Sequence, residues 1–202
     1  MSNGKVYIAS KKMRGPWAPR PEGVVILDVT SAQSKTSNRR RDFSPMSPIE
    51  GGYKGFYCFE NYWQSGKLIE GVDRGKHISW WKKQTKGKRR YPKSRGKRVF
   101  CALFGDGVPL DYVESRKKIY VPEYYELMHG TESFLEFKTL VESGNDVVVY
   151  DFDGPRSIDG GNECHEVSLD LLKKKICETH CPFGQGYVVA AGLLGITPDQ
   201  YC

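Results

Sequence analysis

Short apolar runs bounded by turn residues limit what this chain can fold into. Such runs are long enough for buried strands but too short for most helices. Four of them occur, at KVYIAS (5–10), VVILDV (24–29), RVFCALFG (98–105) and DVVVYDFDGP (146–155), the last a strand that runs into a turn. Helical patterns lie between and after them, at about 59–70, 131–144, 167–180 and 186–196. The spacing is too irregular for a doubly wound sheet, so we expect an α+β fold with several helices around a small sheet. We expect a single domain over residues 1–202.

Two longer segments do not have the sequence pattern of a single strand or a single helix. Residues 30–48 are polar, basic and rich in turn residues, which predicts a long loop. Residues 109–128 predict a helix, a short extended piece and a second helix that is broken at Pro122.

The positive charge of the chain is local. The formal net charge is +7, and KKQTKGKRRYPKSRGKR (82–98) carries ten Lys or Arg and no acidic residue. The rest of the chain has 21 basic and 24 acidic residues. Residues 82–98 therefore predict a basic loop that binds nucleic-acid phosphates or a dinucleotide pyrophosphate, with stacking surfaces at Trp80, Trp81 and Tyr91. A solvated flexible loop is the alternative.

The carboxyl end of the run at 24–29 offers a second group of polar candidates. Ligands commonly gather where strands of α/β proteins end. Candidates for ribose and phosphate contacts there are Asp28, Thr30, Ser31, Arg39, Arg40 and Arg41. Simple turn chemistry is the alternative, in which Thr and Ser cap local backbone.

Membrane and metal chemistry are not expected. No stretch approaches the roughly 20 apolar residues of a membrane span, and MSNGKVYIASKK lacks the apolar core of a signal peptide. We expect a cytoplasmic protein without a membrane partner. Zinc ligation by some of the Cys and His residues in the C-terminal region (164–181) is a weaker alternative, because their spacing fits no standard zinc-binding pattern. These residues are Cys164, His165, Cys177, His180 and Cys181. We expect no metal and no cofactor.

VVVYDFDGPR (147–156) resembles the strand–loop DxDG of haloacid-dehalogenase-type phosphatases. Its two acids are Asp151 and Asp153, and Pro155 departs from that pattern. Too little chain follows to build the core of those enzymes. A polar turn after a strand is the favoured interpretation.

CFENYWQSGK (58–67) places unusual side chains at one helical interval. At 100° per residue, Glu60, Trp63, Gln64 and Lys67 share an arc of about 100°. An ordinary amphipathic helix with its polar side in water is one interpretation. Trp63 argues for a pocket wall instead, because an indole is costly to leave in water.

FENYWQSGK resembles the helix signature of the NADAR superfamily (YbiA-like N-glycosidases), roughly Glu-x-aromatic-aromatic-Gln-x-x-Lys. Glu60, Tyr62, Trp63, Gln64 and Lys67 match it position by position. DFSPM upstream and KRRYPKSRGKRV downstream resemble the segments that flank this helix in the superfamily. ILDVTS and SRKKIYVPEYYELM are similar to an uncharacterised family of phage, large-virus and bacterial proteins.

The resemblance implies an enzyme, a hydrolase that cleaves a ribose–base N-glycosidic bond. Its substrate would be ADP-ribosylated or phosphoribosyl, and a viral chain would act in the host cytoplasm. Glu60 would stabilise positive charge on the ribose, Lys67 would attack the anomeric carbon, and Gln64 would orient Glu60 or a sugar hydroxyl. Trp63 or Tyr62 would stack on the ribose or base. The phosphates would go to Arg39, Arg40, Arg41, Arg89, Arg90 and Arg95.

Two other functions stay open. A non-catalytic binder of nucleotide or nucleic acid, such as a viral protein that sequesters ADP-ribose-type signals, would use the same basic and aromatic surface. A virion or interaction protein with a disordered basic loop would need neither a pocket nor a carboxylate.

Overall fold

The computed structural model describes residues 3–105 and 107–202. The first two residues of the segment MSNGKVYIASKK, Met1 and Ser2, lie outside the described residues. The predicted α+β class is confirmed, with helices around a small mixed sheet. The chain divides into two compact units. The first unit runs up to Ser44 and resumes at Arg116–Cys202, and the second is Pro45–Ser115.

The first unit contains a four-stranded sheet in the order β2-β5-β1-β6. β2 and β1 both run parallel to β5, which lies between them, and β6 pairs antiparallel with β1. The strands are β1 (Val6–Ser10), β2 (Val25–Asp28), β5 (Val147–Asp151) and β6 (Cys164–Glu166). β5 is buried at every residue, as expected for the central strand of a covered parallel sheet.

Helices cover this sheet. They are α1 (Asn38–Phe43), α5 (Val121–Met128), α6 (Glu132–Glu142), α7 (Leu169–Cys177), α8 (Gln185–Leu193) and α9 (Pro198–Tyr201). α8 has no charged residue and packs on β1, β5, α5 and α6. Burial of its small apolar residues against the sheet and both helices forms the centre of this unit's core.

The parallel strands place three charged residues at one edge of the sheet. Lys11 follows β1, and its Nζ lies 2.6 Å from Oδ2 of Asp28 at the end of β2. Asp151 ends β5 and is 3% exposed, and its Oδ2 accepts a hydrogen bond of 2.8 Å from the Gly186 backbone N–H. No side chain caps the first turn of α8 from within. Asp151, at the end of β5, therefore caps the first turn of α8. The residues after Asp151 form the predicted turn.

The second unit is built from short elements around the segment that resembles the NADAR helix. They are α2 (Phe59–Ser65), β3 (Lys67–Ile69), α3 (Arg74–Lys82), a 3₁₀ turn (Pro92–Ser94), β4 (Val99–Ala102) and α4 (Tyr112–Ser115). β3 and β4 pair antiparallel, and α2 packs on α3. Asp73 caps α3 by accepting from the Lys76 backbone N–H at 2.8 Å.

The helix predicted at about 59–70 is too long. It ends at Ser65, and Lys67 lies on β3 instead of on the helical stripe. Gly66 is the C-cap, and a Cβ there would clash with the Phe104 ring. Pairing of β3 with β4 competes successfully with helix propagation because it joins Leu68 to Cys101, a contact that local sequence does not encode.

Three other expectations need correction. The loop at 30–48 contains α1, which Ser37 caps by accepting from the Arg40 backbone N–H. β4 is not a buried strand, since Val99 and Phe100 are 47% and 57% exposed. The extended piece before Pro122 is a π-helical turn at Arg116–Tyr120. Pro122 does not break the second helix, because Arg116–Tyr120 and α5 form one continuous run of helical residues in which Pro122 lies just after the π-helical turn.

Within the described ranges, no helix combines the length and the apolar character that a membrane crossing requires.

Candidate functional site

The second unit contains a cavity of about 460 Å³. That volume is within the range of small-molecule sites. Four cationic residues line it, together with one amide, one imidazole and two aromatic rings. These are Lys67, Arg89, Arg90, Lys97, Gln64, His77, Trp81 and Tyr91. No acidic side chain is among the lining residues, so the cavity suits an anionic ligand.

Two members of the predicted catalytic set reach this cavity directly, and the third is joined to it. Gln64 and Lys67 line the wall. Glu60 lies one helical turn before Gln64 and is half-buried, and its Oε1 accepts a hydrogen bond of 2.8 Å from Gln64 Nε2. Gln64 therefore bonds the carboxylate of Glu60 and also lines the cavity.

Asn61 attaches the basic segment (82–98) to α2. Its side chain is fully buried, and its Oδ1 accepts from the Lys88 backbone N–H at 2.9 Å. Its Nδ2 donates to the Lys86 backbone oxygen at 3.1 Å. Tyr91 is also buried, and its backbone oxygen accepts from the Ser94 hydroxyl at 2.7 Å. These contacts fix the segment that carries Arg89 and Arg90.

Asn61→Ala should release the basic segment. The substitution removes both side-chain hydrogen bonds, which are partly buried, and takes that partner from the Lys88 N–H and the Lys86 oxygen, at a cost of about 2 kcal/mol. Because trypsin cleaves after Lys and Arg, we expect cleavage within 82–98 to become about tenfold faster, measured by mass spectrometry of timed digests. Ser65→Ala is the matched control, since within the described part of the chain the Ser65 hydroxyl bonds its own helix, at the Tyr62 oxygen. Equal digestion rates for Asn61→Ala and this control would contradict the anchoring role.

The aromatic residues are divided between the cavity and the core. Trp81 and Tyr91 line the cavity. Trp63 and Tyr62, predicted to stack on a ligand, are each 8% exposed and pack against Phe104. The Trp63 and Phe104 rings are stacked at 15° with centroids 5.7 Å apart. Trp81, at 0% exposure, and Tyr91, at 8%, are at least as buried as Trp63, so they form part of the cavity wall without an open stacking face.

The predicted phosphate-binding arginines do not all lie at the cavity. Arg89 and Arg90 line it, whereas Arg95 is exposed and is not among the lining residues. Arg39 and Arg40 belong to the first unit, on α1. Arg39 pairs with Glu136 at 3.5 Å, and Arg40 donates to the Gln33 backbone oxygen at 2.9 Å. Arg41, also on α1, donates to the Asp42 carboxylate at 3.0 Å.

The other first-unit candidates make local contacts. Asp28 accepts from the Thr30 backbone N–H at 2.9 Å, besides its ion pair with Lys11. Thr30 is fully buried, and its hydroxyl accepts from the Ala32 backbone N–H at 3.4 Å. Ser31 is half-buried in the same turn. Among these residues the structure shows the turn and capping chemistry that was the alternative prediction.

The Cys and His residues of the C-terminal region are spread over several elements. Cys164 and His165 lie on β6, and Cys177 ends α7. The potential ligand atoms of Glu178, His180 and Cys181 lie within 4.8 Å of one another, and the Glu178 carboxylate also pairs with Lys175 at 2.9 Å. This group includes a carboxylate that the spacing argument did not consider.

Sequence reasoning missed His77 and Asn61. His77 is 1% exposed and lines the cavity, one helical turn before Trp81. The spacing of a His and a Trp four residues apart, directly before a basic segment, is a signal that was available. The role of Asn61 has no such signal, because its partners are backbone atoms at Lys86 and Lys88.

The comparisons with known proteins identify a family and no named relative. No curated protein and no solved structure matches the chain significantly. The sequence profile of a family of unknown function (DUF6939) matches residues 11–164, a range that includes the whole cavity. The chain belongs to the family of unknown function DUF6939.

Proposed function

We propose that the protein is an N-glycosidase that hydrolyses a ribose–base N-glycosidic bond in an ADP-ribosylated or phosphoribosyl substrate. One observation supports this most: Gln64, whose amide bonds the Glu60 carboxylate, lines one cavity together with Lys67, Arg89 and Arg90. A carboxylate, an amine and a phosphate-binding pair are the groups that this chemistry needs. The resemblance of α2 to the NADAR helix supports the same function.

The proposed chemistry assigns Glu60 to the charge that develops on the sugar. Breaking the bond between the anomeric carbon and the base nitrogen leaves positive charge on the ribose, and the electron pair departs with the base. The Glu60 carboxylate stabilises that charge. Lys67 gives its proton to the departing base and then, as the neutral amine, attacks the anomeric carbon. The sugar ring then opens to an imine, which water hydrolyses to release the sugar and restore the amine.

Arg89 and Arg90 take the phosphates in this proposal, since guanidinium groups bind phosphate oxygens in a bidentate way. We expect Arg89→Ala and Arg90→Ala each to weaken binding of ADP-ribose about tenfold, measured by isothermal titration calorimetry. Arg95→Ala is the matched control, because it removes the same charge from the same segment away from the cavity. A control variant that loses as much affinity would mean that the charge of the segment, and not the cavity, binds the ligand.

A non-catalytic binder of nucleic acid is the second candidate function. The exposure of the cationic side chains in the basic segment favours it. Of the ten cations in the basic segment, all except Lys88 are exposed. A nucleic acid would contact many of them, so its affinity would fall steeply with salt. A single nucleotide in the cavity would contact few, and its affinity would change little between 50 mM and 200 mM salt.

The decisive experiment is mass spectrometry of products. The protein is incubated with guanine-ADP-ribosylated DNA, NAD⁺ and phosphoribosyl nucleotides, beside the Lys67→Ala variant. Release of base or of ADP-ribose by the wild type alone would support the glycosidase, and sodium borohydride should trap the imine on Lys67. Retention of ligand without turnover would leave the binder as the function.

A further inference from the structure

His77 is an almost fully buried side chain at the cavity. It lies on α3, where Asp73 caps the first turn, and it is 1% exposed. Its ring meets the Tyr91 ring edge-on with centroids 4.7 Å apart. Both rings line the cavity, so the imidazole is held between α3 and the basic segment.

Trp81 fixes the tautomer of His77. The Trp81 Nε1–H donates to His77 Nε2 at 2.7 Å. An indole nitrogen only donates, so Nε2 must carry no proton, and the proton of the neutral ring is on Nδ1. Burial, and secondarily the nearby Lys67 charge, lowers the pKa of His77 below 6.5, so the ring is neutral at pH 7.

The Nδ1–H group of His77 is the donor that remains. Across residues 3–105 and 107–202, the one hydrogen bond of this ring is the bond at Nε2. Among the described residues, the buried side-chain atoms without a hydrogen-bond partner are Arg74 Nε and Tyr201 Oη, so the Nδ1 of His77 is not sealed from the cavity. The charged side chains that line the cavity are cations, and the neutral acceptors of Gln64 and Ser94 do not bond this ring. An anionic oxygen of a bound ligand is the natural partner.

We propose that His77 is a ligand-binding residue whose Nδ1–H donates to a phosphate oxygen of the ligand in this cavity. The inference rests on the proposed function only in that the ligand carries phosphate. His77 would add a neutral, directional donor to the charges of Arg89 and Arg90. A diphosphate placed by charge alone could rotate, and a fixed donor selects one orientation.

Two substitutions separate ligand binding from support of Trp81. In His77→Gln the side-chain oxygen reaches the position of Nε2 and still accepts from Trp81, but the donor at Nδ1 is lost. In His77→Asn the amide nitrogen reaches the position of Nδ1 and still donates, but Trp81 loses its acceptor. A merely structural His77 would make Gln the better replacement, and a ligand-binding His77 would make Asn the better one.

The test measures the affinity of both variants for inorganic pyrophosphate and ADP-ribose by calorimetry, beside their melting temperatures. We expect His77→Gln to weaken binding of both probes at least tenfold with a melting temperature close to wild type. His77→Asn should bind within about threefold of wild type while melting earlier. The reverse order of affinities, or a wild-type protein that binds neither probe, would overturn the proposal.

The same experiment keeps the two proposals apart. A wild-type protein that binds pyrophosphate but cleaves no N-glycosidic bond would refute the glycosidase and leave the role of His77 to be decided by the two affinities. Nitrogen-15 NMR of the free protein adds a check without ligand, since a proton on Nε2 of His77 would contradict the tautomer on which the inference depends.

Discussion

Glu60→Gln is expected to lower the rate of N-glycosidic cleavage by about 10³-fold while ADP-ribose affinity stays within about threefold. The amide oxygen that replaces the carboxylate can still accept the hydrogen bond from Gln64, which is 2.8 Å long in the wild type. The backbone N–H of residue 60 still donates to the Pro45 oxygen. The position of the side chain is therefore kept, and the substitution removes only the negative charge that stabilises the transition state.

The control for this prediction is Glu70→Gln. Glu70 is exposed and follows β3, so the variant loses the same charge from the same unit. We expect its turnover to stay within about twofold of wild type, measured by mass spectrometry of released product. A Glu60→Gln protein that cleaves at the wild-type rate would remove Glu60 from the mechanism. A loss of affinity that matched the loss of rate would make Glu60 a binding residue.

Asp151→Asn is expected to change how stability depends on pH. Burial, and secondarily the neighbouring Asp153 carboxylate, raises the pKa of Asp151 from 3.8 to about 7. The folded protein therefore binds this proton more tightly than the unfolded chain does. The protonated carboxyl contributes fully to stability below pH 3.8, and that contribution is lost as the pH rises to about 7. The wild type then carries a buried charge, whereas the amide does not.

The free energy of unfolding of Asp151→Asn should therefore increase relative to that of the wild type as the pH rises. We expect the difference in free energy of unfolding to move in favour of Asp151→Asn by about 2 kcal/mol between pH 5 and pH 7. The amide oxygen still accepts from the Gly186 N–H, so the cap of α8 is kept. Urea unfolding at several pH values measures this, with Asp170→Asn, an exposed carboxylate at the start of α7, as the control for net charge. A constant difference across this range would mean that Asp151 is ionised at pH 5.

The local sequence pattern was sufficient to predict those strands and helices whose identifying pattern lies within the element itself. The apolar runs predicted β1, β2 and β5, because a continuous run of β-branched residues is stable only when covered on both faces. α6 begins after Thr131 and ends before Gly144, within the helical pattern predicted at about 131–144. The α+β class followed from these elements and their irregular spacing.

Local pattern failed where pairing between distant residues decided the outcome. The segment after Gly66 has a helical pattern, yet it pairs with β4 about 30 residues later. β4 itself is apolar, but its two-stranded sheet leaves Val99 and Phe100 exposed. Neither outcome is encoded within a window of ten residues.

The same division holds for the candidate site. The sequence by itself determined that Glu60, Gln64 and a dense basic segment lie close along the chain, since helical spacing and charge are local properties. Only the tertiary structure decided which arginines line the cavity and that Trp63 belongs to the core. It also decided that His77 lines the same cavity with its Nε2 bonded to Trp81, because the cavity depends on the path of the chain around Asn61. Directional hydrogen bonds to backbone and ring atoms fix such details, and they exist only once the chain has folded.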